Sequence, residues 1–439
     1  MSPSGNESSE STEQFRPAVG DRLEVEVEAV AHGGHMVARP SGFVTFVRYA
    51  LPGERVIAQV TEVRKAHAFA EAVEVLRAHA DRRPATCPAF HPLGCGGCDF
   101  QHAERALQLE MKSQVLHEAL IRHGRLQKAQ VDSLMGQGVR PLGPEYGWRS
   151  RMRFGVLRDG DGRSQPALHA HHSADRIAAH QCTIAAPEVL RKAIECAESA
   201  TEQDVIVVAE GDDAVQARVR ADGEDPLDGP DAPRVRHRLV LDDHTVDFRI
   251  PLEGFWQADP RLLPELIDAV LAFGEVKPGQ HWWDLYAGAG PLAAALGDRT
   301  GASGGVQAVE GSASAVRSAR RALHGMPWVR LHQADVRDWL TERARPTGDV
   351  RGKSVEGQLA GIVLDPPRNG AGVAVIDAIA ETAVPLLVYV ACDPVALGRD
   401  TAYLEQRGYR LARLRAWDAF PQSHHFETVA AFEAVDQIS

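Results

Sequence analysis

From His281 to Ala434 apolar strand patterns alternate with helical ones, and this alternation confines the region to a mostly parallel, doubly wound α/β sheet. The spacing predicts strands at His281–Tyr286, Gly305–Val309, Val329–Gln333, Gly361–Leu364, Leu386–Val390, Tyr409–Arg415 and Thr428–Ala434. Seven strands are therefore expected. Only a short loop separates the last two, which makes them an antiparallel pair. Ligands of such sheets bind outside the carboxyl ends of the strands, so the residues that follow each strand matter most.

Those residues bear chemistry. The first strand runs into Asp284-Leu-Tyr286-Ala-Gly288-Ala-Gly290, a Gly-rich turn that lets a ligand approach the backbone. The second ends at Glu310, twenty residues after Gly290, where an acid can accept both hydroxyls of a ribose. The third leads to Asp335, placed to meet an adenine edge, and the fourth to the rigid turn Asp365-Pro-Pro-Arg368. The fifth delivers Cys392, followed by Asp393-Pro394. Singly, each acid reads first as a turn or cap residue, and a free cysteine as a small buried hydrophobe. Together they describe a site for an adenosine-containing cofactor beside a reactive cysteine. No G-x-x-x-x-G-K-[ST] loop for a nucleoside triphosphate is present.

A chain of 439 residues is too long for one core. Residues 1–15, rich in Ser and Glu, are expected to be disordered. Residues 16–77 carry strand patterns at Asp21–Ala29, Phe43–Val47, Arg55–Val63 and Ala68–Val75, which suggests a small β-barrel that could hold RNA. Residues 78–250 form a β-rich central domain, with a helix predicted over Ala103–His123 and a loop over Ala221–Pro233. Residues 251–439 form the α/β domain, whose first helix follows Asp259-Pro260; Arg343–Gln358 reads as a surface loop. Net charge is −12, which argues against a broadly basic surface. Arg149, Arg151 and Arg153 nevertheless alternate along one predicted strand and offer a local track for an RNA backbone. No apolar run approaches the ~20 residues of a membrane span, and the N-terminus has no signal-peptide pattern. A cytoplasmic monomer is expected.

Of six cysteines, Cys87, Cys95 and Cys98 lie in one Gly-rich loop with C-x7-C-x2-C spacing. A metal centre needs a fourth ligand, for which Cys182 is the best candidate; Cys196 is its rival and His91 a weaker donor. Thiolates at this spacing suit zinc or a 4Fe–4S cluster.

Phe255-Trp-Gln257, Asp284-Leu-Tyr-Ala-Gly-Ala-Gly290, Asp365-Pro-Pro-Arg368, Cys392-Asp-Pro394 and Phe420-Pro-Gln-Ser-His-His-Phe-Glu427 together resemble the S-adenosylmethionine-dependent RNA uracil-5-methyltransferase family. The resemblance covers nearly the whole chain. It implies an N-terminal TRAM-like barrel, a class I methyltransferase domain, and an RNA substrate, either tRNA or rRNA. It implies that Gln257, Tyr286, Gly288, Gly290, Glu310, Asp335 and Asp365 contact S-adenosylmethionine. Cys392 would be the nucleophile and Glu427 the proton-abstracting base, with His424 and His425 as alternatives. Cys87, Cys95, Cys98 and Cys182 would hold a 4Fe–4S cluster in preference to zinc. Three departures stand out: the first cysteine gap is longer than is common in the cluster-bearing branch, and Pro291 and Asp393 replace frequent Asn residues. Cytosine-5 methylation uses the same thiolate addition and differs in its product. A non-catalytic RNA-binding protein on this scaffold would bind RNA without binding the cofactor.

Overall fold

Between Arg22 and Arg77 alternate residues turn inward, and five strands close into a barrel: β1 (Arg22–Val30), β2 (Met36–Ala38), β3 (Val44–Arg48), β4 (Arg55–Val63) and β5 (His67–Arg77), in the order β1-β2-β3-β5-β4. Val25, Val27, Val47, Val56 and Val60 fill it. At three residues, β2 is too short to show an alternation, which is why the sequence pattern passes over it. The computed structural model describes residues 15–225, 229, 232–242, 244–344 and 359–435. Apart from Arg343 and Ala344, the Arg343–Gln358 loop lies outside these residues, as does the expected disordered tail apart from Phe15. The chain forms two compact units, one ending at Arg83 and one starting at Pro84.

In the second unit the helix α1 (Arg105–Arg122) is followed by the short strand β6 (Val139–Pro141). An antiparallel sheet of β7 (Arg151–Arg158), β8 (Ser164–His169), β9 (Arg176–Ala178), β10 (Asp204–Glu210) and β11 (Val215–Ala221) comes next, in the order β11-β10-β7-β8-β9. A ribbon of β12 (Arg234–Val240) and β13 (Thr245–Pro251) leads into the α/β region.

That region holds β14 (His281–Leu285), β15 (Gly305–Glu310), β16 (Val329–Gln333), β17 (Leu359–Leu364), β18 (Leu386–Ala391), β19 (Tyr409–Asp418) and β20 (Glu427–Ala434). Their sheet runs β16-β15-β14-β17-β18-β20-β19-β6. The first five are parallel, and β20 enters antiparallel between β18 and β19. The sheet thus has eight strands among the described residues rather than the seven expected. The eighth, β6, comes from upstream and pairs parallel with β19. Three residues ending in proline carry no strand periodicity, so only the tertiary pairing reveals it.

Helices cover both faces. Val388, Val390, Val429 and Ala431 point to the helices Leu262–Gly274 and Pro291–Thr300. Leu387, Tyr389, Ala430 and Phe432 point the other way, into a core shared with Leu116 and Leu120 of α1 and Leu397 of the helix Pro394–Glu405. Each fully buried leucine contributes about 1.5–3 kcal/mol. The predicted boundary near residue 250 therefore falls inside one packed unit, because α1 and β6 complete the α/β sheet. Among the described residues no helix is long and apolar enough to cross a membrane.

The two helices touch at Gly398, where an added Cβ would lie 2.5 Å from the Ala119 carbonyl oxygen. Gly398→Ala must push α1 off the sheet and is expected to destabilise the second unit by about 1–3 kcal/mol. A thermal melt should show a transition several degrees lower; an unchanged melt would contradict the close approach.

Candidate active site

Antiparallel pairing of β18 with β20 sets Ala391 against Thr428 and Val390 against Val429. One step further along the same register, Cys392 comes opposite Glu427. Cys392 is half-buried and Glu427 only 7% exposed. Burial, reinforced by Glu427 and Asp365, pushes the Cys392 thiol up to about 12, with Arg368 opposing. Burial, then Asp365, also holds the Glu427 carboxyl well above its usual range, again against Arg368. Asp365, which leaves β17 with its amide on the Leu285 carbonyl (3.2 Å), is pushed up to about 7 by burial. A thiol and two carboxyls of reluctant acidity therefore share one corner with the Arg368 cation. Asp393 accepts from the Ala396 amide (2.8 Å) and caps the next helix.

Beside this corner the Gly-rich turn takes left-handed backbone at Tyr286 (φ 64°), Gly288 (φ 57°) and Gly290 (φ 87°). A Cβ on Gly288 would meet nothing within 4 Å, so the turn borders open space. Glu310 ties the two loops together, accepting from the Gly288 amide (2.9 Å) on one oxygen and the Ser312 amide (2.7 Å) on the other. Burial, and Asp335 next to it, push the Tyr286 hydroxyl up to about 12. Asp335 also accepts from the Asp338 amide (3.1 Å) at the start of the helix Val336–Ala344. Asp284 is fully buried, and neither of its oxygens has a hydrogen bond of good geometry. Burial, then Asp365, holds its carboxyl well above the usual range, with the Ala293 amide opposing. Gln257 sits between Trp256, stacked on His237 (4.7 Å), and Ala258, whose carbonyl accepts from Ser150 (2.8 Å). Pro291 starts the helix Pro291–Thr300.

Groups far upstream hold the loop between β19 and β20. The Lys112 ammonium, 1% exposed, is paired with Asp418 and donates to the carbonyls of Phe420 (3.1 Å) and His425 (2.8 Å). Gln108 and Gln422 exchange hydrogen bonds, each 3.1 Å long. The Asp99 and Phe100 amides both donate to the Gln422 carbonyl (2.7 and 2.9 Å). The Asp99 carboxylate accepts from the His424 amide (3.0 Å) and from its Nδ1–H (2.7 Å). Sequence reasoning missed this set. Its signal was available: Gln108 and Lys112 follow Leu107 and Met111 at the same four-residue step, on the buried side of α1.

Cys87, Cys95, Cys98 and Cys182 line one cavity of about 310 Å³, together with His91. Buried Gln101 joins their segments, accepting from the Cys87 amide (3.1 Å) and donating to Cys98 Sγ (3.4 Å) and Thr183 Oγ1 (3.0 Å). Cys196 does not line this cavity; it lies in the helix Pro187–Ala197, packed against a core that Cys182 also touches. Among the described residues no three His, Cys, Asp or Glu side chains stand close enough to hold a single metal ion.

The three arginines have different fates. Arg151 is spent on structure: it donates to the carbonyls of Pro251 (3.2 Å), Leu252 (2.9 Å) and Gly254 (2.8 Å). Arg153 is paired with Asp222 (2.8 Å) on the surface. Arg149 and Arg153 line a basic cavity of about 390 Å³ with His169, His171 and His172.

The sheet order, the Gly-rich turn and the acid after β15 define a class I methyltransferase fold. Residues 230–434 match the model of the tRNA (Uracil-5-)-methyltransferase family, and residues 17–73 that of the TRAM domain. The chain is 36% identical to an uncharacterized RNA methyltransferase of Streptomyces avermitilis, over 94% of this chain and 99% of that one. It is 31% identical to the 23S rRNA (uracil(1939)-C(5))-methyltransferase RlmD of Chromohalobacter salexigens, over 92% of this chain and 87% of that one. The solved structure of Pyrococcus abyssi tRNA (uracil-54, C5)-methyltransferase in complex with S-adenosyl-L-homocysteine shares the fold at 20% identity and TM-score 0.66, covering 93% of this chain and 99% of that chain. The chain belongs to the RNA uracil-5-methyltransferase family and is an S-adenosylmethionine-dependent enzyme of class I.

A thiol pushed up to about 12 stays protonated through neutral pH. Iodoacetamide should therefore alkylate Cys392 about tenfold faster per added pH unit, without levelling near the ~8.5 of an ordinary thiol. Peptide mass spectrometry of free enzyme between pH 7 and 10 checks this, and a plateau below pH 9 would refute it.

Proposed function

We propose that the enzyme methylates carbon 5 of a uridine in ribosomal RNA through a covalent bond between Cys392 and carbon 6 of uracil. The observation that carries the reading is the register that sets Cys392 opposite Glu427. Carbon 5 of uracil is too weak a nucleophile to take a methyl group directly. As the Cys392 sulfur adds to carbon 6 its thiol proton passes to water, and the displaced π pair makes an enolate with nucleophilic carbon 5. S-adenosylmethionine, when bound, supplies the methyl group, which carbon 5 takes with that pair. Glu427 then removes the carbon 5 proton; the freed pair restores the double bond, and the carbon–sulfur pair returns to Cys392. Cysteine suits both the attack and the departure. Arg368 is the neighbouring group that favours its anion. Burial keeps Glu427 basic enough to take the proton.

The chain's own groups fit the methyl donor. Each Glu310 oxygen holds one loop amide and has a lone pair left for a ribose hydroxyl. Tyr286 and Asp335 would flank the adenine, Gly288 and Gly290 would let the donor approach the backbone, and Asp365 and Gln257 would meet its methionine end. RNA would be held by Arg149 and Arg153, and on the barrel by the packed rings of His35, Phe46, His67 and Phe69 (centroids 5.3–6.2 Å apart). Such rings stack on bases for about 1–3 kcal/mol each. A uridine within folded RNA must leave its stack to reach Cys392. The choice of ribosomal RNA rests on relatives such as RlmD of Chromohalobacter salexigens, whose name gives 23S rRNA.

The four cysteines line one cavity, and a set of four thiolates suits a 4Fe–4S cluster. Cys87, Cys95, Cys98 and Cys182 would hold it as a cross-link within the central region.

Cys392→Ala is expected to abolish methylation, and full activity would sink the mechanism. RNA carrying 5-fluorouridine should form a denaturation-resistant adduct with the enzyme only when S-adenosylmethionine is present, because fluorine cannot be removed as a proton. Loss of 5-methyluridine from ribosomal RNA in cells lacking the protein checks the substrate; loss from transfer RNA instead would redirect it. Anaerobically purified protein should contain about four irons. One zinc and no iron would overturn the cluster assignment.

A further inference from the structure

We infer that Asp99 and Lys112, outside the α/β sheet, are positioning residues for Glu427, holding the Asp418–Phe426 loop that delivers it opposite Cys392. The inference rests on the covalent mechanism proposed above and assigns its proton-removal step a support that lies some 300 residues upstream in sequence.

The loop holds itself weakly. Its internal hydrogen bonds are those of the Ala419 amide to Trp417 and of the Ser423 amide and hydroxyl to Phe420. Gln422 is fully buried with a left-handed backbone (φ 69°), a conformation that a non-glycine residue keeps only when its surroundings impose it. The surroundings here include Asp99, Phe100, Gln108, Lys112 and Glu145, whose carboxylate accepts from the Gln422 side-chain amide (3.1 Å). They fix the loop at its start (Asp418, Phe420), at its middle (Gln422) and at its end (His424, His425). Only Phe426 separates the last anchor from Glu427. A buried ammonium or carboxylate tolerates its site only while its partners stay in place. Both charges therefore admit one loop geometry and penalise others. Pairing with β19 and β18 fixes Glu427 from its carboxyl side. The clamp fixes it from the amino side, and neither Asp99 nor Lys112 needs to touch the RNA.

The role makes a specific kinetic demand. Attack by Cys392 and methyl transfer precede proton removal. A displaced Glu427 therefore stalls the reaction after methylation, with RNA still attached. The test uses the full chain, uridine-containing substrate RNA and S-adenosylmethionine, comparing Asp99→Asn, Lys112→Met and Glu427→Gln. Expected for Asp99→Asn is a kcat lower by roughly 10-fold to 100-fold, a KM for RNA that falls with it while kcat/KM changes little, and methylated RNA–protein adduct accumulating as it does in Glu427→Gln. Lys112→Met removes a buried charge from its partners and can unfold the chain; where its melt stays cooperative it should show the same adduct. The proposal is overturned if Asp99→Asn keeps its kcat, or loses kcat without adduct while Glu427→Gln accumulates it. Absence of adduct in Glu427→Gln itself would bring down the covalent mechanism and, with it, this role.

Discussion

The site depends on one pairing register. With Ala391 opposite Thr428, Cys392 and Glu427 face each other across the end of the β18–β20 ladder. A slip of one residue would turn one of the two side chains to the other face of the sheet. Val388, Val390, Val429 and Ala431 on one face, and Leu387, Tyr389, Ala430 and Phe432 on the other, guard against this slip. Hydrophobic burial on both faces thus sets a distance between two reactive groups that neither controls. The arrangement also explains why β20 enters antiparallel: only a strand running towards the amino ends of its parallel neighbours starts, rather than finishes, at the reactive edge.

Burial at that edge sets the chemistry as well as the geometry. Removing Cys392, Glu427 and Asp365 from water disfavours their anions; Asp365 raises Glu427 further by like charge, and both carboxyls raise Cys392. Arg368, on the turn after β17, is the cation in range that bears on both acids.

The doubly wound class, the acid that ends β15, the acid that follows β17, the glycine turn and the cysteine after β18 were all legible in strand–helix alternation, because strand ends in such a sheet are where ligands bind. The cysteine loop was legible from spacing, and the structure gathers Cys182 rather than Cys196 to it. Other features were not legible. The arginine stripe reads as three equivalent residues, yet Arg151 is consumed by the carbonyls of residues 251–254. The three-residue strands β2 and β6 leave no periodic trace. Lys112 and Gln108 look like ordinary polar positions on an amphipathic helix until the partner loop is placed beside them.

Sequence alone determined which residue types stand at each strand end, because local periodicity and turn chemistry are properties of a few neighbouring residues. It thereby determined the fold class and the set of acids, glycines and cysteine that stand along its carboxyl edge. Tertiary structure decided everything that joins distant segments. It set Cys392 against Glu427, bound Glu310 to the Gly288 turn, and brought Asp99 and Lys112 to the loop before β20. The physical reason is that a hydrogen bond or ion pair between residues hundreds apart leaves no pattern in either segment; it exists only once hydrophobic packing has placed the two backbones side by side.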